Sequence, residues 1–123
     1  MNSRMGKKVL FVDDEEDWRS MVKSSLGSAG FDVLVAKDAS DAMRQAEGTE
    51  LGLILLDLNL AGENGMILVK FLKLNHPDVP IVLYTGSEHD DAQVLEMLKS
   101  GVHLYLQKGS MEELILNVGA YIK

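Results

Sequence analysis

The sequence predicts an α/β domain in which one parallel sheet is covered by helices on both faces. Three features of the chain predict it. Short, continuous apolar runs recur at residues 8–12, 51–56 and 81–84, and such runs read as strands buried on both faces. Between them lie segments whose apolar residues repeat near every 3.6 positions, and strands alternating with helices imply right-handed parallel crossovers. Polar residues follow directly on the strand ends, which is where open α/β sheets place their chemistry.

The elements follow in order. Residues 1–6 are expected to be a disordered leader, with one domain over 7–123. Lys8-Val9-Leu10-Phe11-Val12 is the first strand and runs into Asp13-Asp14-Glu15-Glu16-Asp17. Asp17 is a candidate N-cap for a helix carrying Trp18, Val22, Leu26 and Ala29, closed by Gly30. Residues 31–36 form a β-rich strand. A helix follows over about 39–47, with Ala39, Ala42, Met43 and Ala46 on one face and Gly48 as its stop. Leu51 to Leu56 is the central strand and ends in a lone carboxylate, Asp57.

Met66 to Asn75 is the next helix, with Leu68, Phe71 and Leu72 expected inward. Pro77 and Pro80 bracket the entry to Ile81-Val82-Leu83-Tyr84, a strand ending in Thr85-Gly86-Ser87. Residues 90–99 form a helix with Val94, Leu95 and Leu98 expected buried and Met97 off the buried face. Leu104-Tyr105-Leu106 is a short fifth strand leading to Gln107-Lys108-Gly109. Ser110-x-x-Glu113 is a capping-box pattern opening a last helix with Leu114, Ile115, Val118 and Ile122, and Leu116 off its buried face.

The bulk properties bound the function. A chain of 123 residues builds one core, too little for two ordinary domains. The formal net charge of −7 disfavours nucleic-acid binding, which needs a basic face. There are no cysteines, so disulfides and thiolate metal sites are excluded. No apolar run reaches membrane-spanning length and the first residues lack a signal-peptide core, so a cytoplasmic protein is expected.

In a parallel sheet the ends of these strands share one edge, so Asp13, Asp14, Asp57, Thr85 and Lys108 converge. Any one aspartate at a loop start is ordinary turn or capping chemistry. A polar residue delivered by each of four strands to one crevice is not. Three close carboxylates repel one another, and a divalent cation relieves this. Oxygen-only ligands favour Mg²⁺, Mn²⁺ or Ca²⁺ over Zn²⁺. An ammonium and a hydroxyl beside them suit a transferring phosphoryl group, for which a carboxylate can be the nucleophile.

Val12-Asp13-Asp14, Leu55-Leu56-Asp57, Thr85-Gly86, Tyr105 and Lys108 occur in the order and spacing of a known family. Over its length after the leader, the chain resembles the receiver domain of two-component response regulators. The resemblance implies a flavodoxin-like (βα)5 fold with strand order 2-1-3-4-5. It implies Asp57 as phospho-acceptor and metal ligand, Asp14 as direct ligand of Mg²⁺ (with Mn²⁺ as the substitute), Asp13 acting through metal-bound water, and the Asn59 backbone carbonyl completing the site. Lys108 and Thr85 match the residues that hold phosphoryl oxygens, and Tyr105 the aromatic switch, although Tyr105 also fits an ordinary packed strand residue.

The implied function is a phosphorylation-controlled switch rather than an enzyme in the ordinary sense. Its donor would be a histidine kinase or histidine phosphotransfer protein. Its output would be read from the face of the fourth helix, fifth strand and fifth helix, by a monomer or a weak phosphorylation-dependent dimer. A docking module without phosphotransfer and a small flavodoxin-like phosphatase are the alternatives. The phosphatase would want a second acid at position 59, where this chain has Asn59.

Two departures from the family pattern stand out. Leu60-Ala61 replaces the usual Met-Pro after the acceptor, so the loop is expected to be more mobile, with Gly65 kept for a turn. Lys108-Gly109 replaces Lys-Pro. A cis bond costs about 2.5–4 kcal/mol where no proline follows, so a trans bond can serve if glycine's wide φ range brings the amine to the same place. Trp18 is read as helix packing close enough to Asp14 to report on the site, and His76, His89 and His103 as surface or loop residues.

Overall fold

Val9, Leu10, Phe11 and Val12 have no exposed surface, as a strand covered on both faces requires. They lie in β1 (Lys8–Val12) of a computed structural model that describes residues 7–60 and 62–122. The leader expected over residues 1–6 lies outside the described residues, as do Ala61 and Lys123.

The order continues with α1 (Glu16–Ser28), β2 (Val33–Ala36), α2 (Ala39–Ala46), β3 (Leu51–Leu56), β4 (Asn59–Leu60), β5 (Glu63–Asn64) and α3 (Gly65–Asn75). It ends with β6 (Ile81–Thr85), α4 (Asp91–Lys99), β7 (Leu104–Gln107) and α5 (Met111–Tyr121). Five strands make one parallel sheet in the order β2-β1-β3-β6-β7, the expected 2-1-3-4-5 when the sheet strands alone are counted. The remaining two form an antiparallel hairpin just after β3, pairing Asn59 with Asn64 and Leu60 with Glu63. No helix among the described residues is long and apolar enough to cross a membrane.

Strand side chains alternate between two cores. Leu10, Val12, Ile54, Leu56, Ile81 and Leu83 face Ala42 and Ala46 of α2 and Leu68 and Leu72 of α3. Val9, Phe11, Leu53, Leu55, Val82 and Tyr84 face Val22 and Leu26 of α1 and Leu114 and Val118 of α5. Full burial of such aliphatic side chains stabilises by about 1.5–3 kcal/mol each, so these two layers fix the sheet and with it the positions of the strand ends.

Helix phase and capping correct the sequence reading in four places. Phe71 is 52% exposed rather than inward, because α3 is apolar nearly all round and offers no polar face to set its phase. In α4 no residue is fully buried: Val94 and Met97 are half-buried, with Met97 packed on the first core, while Leu95 and Leu98 are exposed. Glu15, not Asp17, is the N-cap of α1, and it makes no side-chain cap. Asp17 lies in the first turn, where a negative charge favours the helix dipole. Ser110 caps α5 by accepting the Glu113 N–H, while the full reciprocal capping box is at Asp90 and Gln93 of α4.

Candidate functional site

Each strand hands its next residue to the same edge. β1 is followed by Asp13 and Asp14, β3 by Asp57, β6 ends in Thr85, and β7 is followed by Lys108. Backbone hydrogen bonds continue past the strand ends and fix these positions: Asp57 N–H donates to Val12 O (2.9 Å), Asp13 N–H to Ala36 O (3.0 Å) and Lys108 N–H to Thr85 O (2.8 Å). Asp13, Asp57 and Thr85 are the buried polar or charged residues among those described, all on this edge.

Oxygens of Asp13, Asp14 and Asp57 lie within 4.8 Å of one another. Lys108 Nζ reaches into this cluster, 2.9 Å from Asp57 Oδ2 and 2.6 Å from Asp13 Oδ2. The second oxygen of Asp57 accepts the Asn59 N–H at 3.0 Å. Asp13 Oδ1 accepts the Glu15 N–H at 2.9 Å, and the Arg19 guanidinium donates to the Asp13 carbonyl at 2.8 Å. No cis peptide bond occurs among the described residues, so Lys108–Gly109 is trans and the amine nevertheless arrives.

The electrostatics are unbalanced. Burial pushes the Asp13 carboxyl above the usual carboxylate range, and the hydrogen bonds and charge of Lys108 and the Glu15 N–H only partly oppose it. Burial also works against the charged form of Lys108, but Asp13 and Asp57 more than offset this and raise its pKa. Three carboxylates thus share one ammonium. Asp13 Oδ2 is buried with the Lys108 ammonium at 2.6 Å as its partner, and Asp57 shares that same ammonium. A buried carboxylate pair left in this state is costly, and an added cation with oxygen ligands fits the deficit.

A cavity of about 400 Å³ opens beside Asp57 and Lys108, lined also by Glu15, Trp18, Asn59, Gly86 and Ser87. Thr85 is at the edge but fully buried beneath this lining, its hydroxyl accepting the Ser87 N–H at 3.4 Å. Asn59 reaches the site through its N–H and through a side-chain hydrogen bond to Ser87 Oγ. Tyr105 is half-buried, and its hydroxyl donates to Ser87 O (2.7 Å) and meets His89 Nδ1 (2.9 Å). His89 is a loop residue, as expected, and its ring engages Tyr105. Gly65 is not a turn glycine either: a Cβ there would stand 2.8 Å from Leu58 Cα, so it is needed for close approach of α3 to the loop after Asp57.

Ser87 and Glu15 were not legible as site residues, although Ser87 follows Thr85-Gly86 closely enough for the strand-end rule to have reached it. Trp18 was expected near the site from its closeness to Asp14, but its place beside Lys108 comes from tertiary packing.

Comparison with known proteins sets these features in context. The sequence profile of the family described as the response regulator receiver domain matches residues 9–118. The chain is 34% identical over 104 residues to the alkaline phosphatase synthesis transcriptional regulatory protein PhoP of Bacillus subtilis, covering 85% of this chain and 43% of that protein. It is 33% identical to the protein PetR of Rhodobacter capsulatus, covering 100% of this chain and 52% of that one. The chain thus spans about half, or less, of the length of these curated relatives. Among solved structures, the chemotaxis protein CheY4 of Vibrio cholerae superposes with a TM-score of 0.86 at 28% identity, covering 94% of this chain and 98% of that one. The receiver domain of NtrX from Brucella abortus superposes with a TM-score of 0.84, also at 28% identity, covering 94% and 98%.

Proposed function

The chain belongs to the response regulator receiver domain family, and from that premise we propose that it is a phosphorylation-controlled switch whose phospho-acceptor is Asp57. One observation carries the reading. The buried Asp57 carboxylate lines the cavity, held by the Asn59 N–H on one oxygen and Lys108 on the other, beside Asp13 and Asp14.

In this reading an Asp57 oxygen attacks the phosphorus of a phosphohistidine presented by a histidine kinase or histidine phosphotransfer protein. The new O–P bond forms as the N–P bond breaks, and the imidazole leaves with the electron pair as neutral histidine. Asp13, Asp14 and Asp57, with the Asn59 carbonyl, would hold Mg²⁺ or Mn²⁺, which supplies positive charge to the transferring oxygens. Lys108 moves from the Asp57 oxygen to a phosphoryl oxygen, and the strand edge keeps the acceptor fixed. Thr85 follows as the second partner of the phosphoryl group by turning its hydroxyl from the Ser87 N–H.

Tyr105, tied to the Ser87 carbonyl of the same loop, senses that movement. The α4–β7–α5 face, where Leu95, Leu98 and Leu116 are exposed, carries the output to a partner or an attached domain in the cytoplasm. The protein assists its own phosphorylation and dephosphorylation and turns over no separate substrate.

The test is intact mass after incubation with Mg²⁺ and acetyl phosphate. The native protein gains one phosphoryl group, and Asp57→Ala or chelation abolishes the gain. Absence of any adduct in protein that binds Mg²⁺ would replace this reading with a docking role.

A further inference from the structure

Gly109 places no side-chain restraint on Lys108: a Cβ built there would meet nothing within 4 Å. Lysine carries four rotatable bonds, and an unpacked ammonium at such a turn spreads over many positions. Here, besides its two carboxylates, Lys108 Nζ lies 4.6 Å from the centroid of the Trp18 ring. Tryptophan offers a cation the strongest of the aromatic faces. Trp18 stands edge-on to Tyr84, centroids 5.9 Å apart and planes at 82°. Tyr84 is buried, stands against Phe11 with centroids 6.3 Å apart, and accepts the Gly109 N–H on its hydroxyl at 3.3 Å. That hydrogen bond needs an N–H at position 109, which a proline would lack.

We propose that Trp18 and Tyr84 are positioning residues for Lys108, the Trp18 face holding the ammonium and the Tyr84 hydroxyl holding the Gly109 peptide behind it. The inference rests on Asp57 as phospho-acceptor and deepens that reading. Phosphoryl transfer requires Lys108 to exchange a carboxylate oxygen for a phosphoryl oxygen. A neutral ring holds the ammonium during this exchange without competing as an anion. The aromatic pair thus does for this chain what a stiffer residue after the lysine would otherwise do.

The experiment compares phosphorylation rates with Mg²⁺ and acetyl phosphate, read by intact mass, for Trp18→Leu, Trp18→Phe, Tyr84→Phe and Lys108→Met. Trp18→Leu is expected to slow uptake about three- to tenfold, and Trp18→Phe, which restores a ring face, to stay within about twofold of native. Tyr84→Phe removes one oxygen from an otherwise intact core and slows uptake in the same direction, so it carries the test should Trp18→Leu fold poorly. In the Lys108→Met background, Trp18→Leu should slow uptake no further. Separately, in metal-free protein without donor, Lys108→Met should shift the emission of Trp18, the one tryptophan in the chain.

Native rates in both Trp18→Leu and Tyr84→Phe, equal slowing by Trp18→Leu with and without Lys108, or unchanged emission in Lys108→Met each overturn the proposal. A native protein that takes up no phosphoryl group defeats the acceptor reading instead, while the emission comparison still decides whether the ring holds Lys108.

Discussion

Two lysine–carboxylate pairs mark the opposite edges of one parallel sheet. Lys8 at the start of β1 pairs with Asp32 just before β2, with side chains 34% and 55% exposed. Lys108, just after β7, pairs with Asp13 and Asp57, and its side chain is 6% exposed against 0% and 4% for its partners. The chemistry is the same and the surroundings are opposite. In water the first pair is screened and stabilises by well under 1 kcal/mol. The second lies where charges interact strongly and where leaving one unpaired is expensive. It is also incomplete, since three carboxylates cluster where one ammonium is shared between Asp13 and Asp57. The exposed pair helps hold an edge together, whereas the buried one is kept short of cation at the edge that carries the candidate site.

The sharpest way to break this contrast is Lys108→Met. It leaves Asp13 and Asp57 buried without their cation, and the loss is expected to reach about 3–5 kcal/mol at neutral pH. Urea unfolding in chelator measures it. Mg²⁺ should return part of the loss by binding only the folded cluster. A loss as small as that of a surface pair would mean that the cluster does not concentrate charge as described.

The next effect is steric and isolates the loop after Asp57. In Gly65→Ala, the new Cβ would sit 2.8 Å from Leu58 Cα and 2.9 Å from Leu58 O, both backbone atoms that cannot turn aside. We expect a loss of about 1–3 kcal/mol, as for overpacked interiors, and weaker Mg²⁺ binding as the Asp57–Asn59 segment shifts. Urea unfolding and a calorimetric Mg²⁺ titration check the two parts. Gly62 shows no such contact, its Cβ meeting nothing within 4 Å, but its φ of +70° would still strain an alanine.

The sequence made the buried edge legible because two simple rules coincide there. Strands covered on both faces read as unbroken apolar runs, so β1, β3 and β6 could be seen directly, and their parallel arrangement sends Asp13, Asp57 and Thr85 to one edge. Other features lacked such a signal. The helix Gly65–Asn75 has apolar residues at Met66, Ile67, Leu68, Val69, Phe71, Leu72 and Leu74, so no polar stripe revealed that Phe71 points out. In Asp91–Lys99 the apolar residues at 94, 95, 97 and 98 support two phases, and packing against the first core is what draws Met97 in. The hairpin strands Asn59–Leu60 and Glu63–Asn64 are two residues each, too short for any periodicity. Trp18 and Lys108 are far apart in the chain, and their contact belongs to the tertiary fold.

At the exposed edge, Lys8→Ala should cost no more than about 0.5 kcal/mol in urea unfolding, and added salt should shrink the difference further. The β1–β2 register survives because backbone bonds such as Val9 N–H to Asp32 O (2.9 Å) hold it without the ion pair.

The smallest effect concerns a titration remote from the cluster. The His103 N–H donates to Ile81 O (2.8 Å), and its ring Nδ1 accepts the Ile81 N–H (3.3 Å). Burial first, and then the charge of Lys73, lower the His103 pKa below 6.5. A histidine whose folded-state pKa is depressed contributes stability above the unfolded value and loses it as pH falls through the folded one. Acidification from 7 to below 6.5 should therefore loosen the junction between β6 and β7 slightly. His103→Gln keeps a side chain able to accept a hydrogen bond and cannot take up a proton in this range. Its urea midpoint should be flatter than that of the native protein over the same interval. The Lys108→Met loss, by contrast, should stay large throughout it, because an amine with a raised pKa remains charged there. A native midpoint that falls no more steeply than that of His103→Gln would show that the His103 ring is free to protonate in the folded protein.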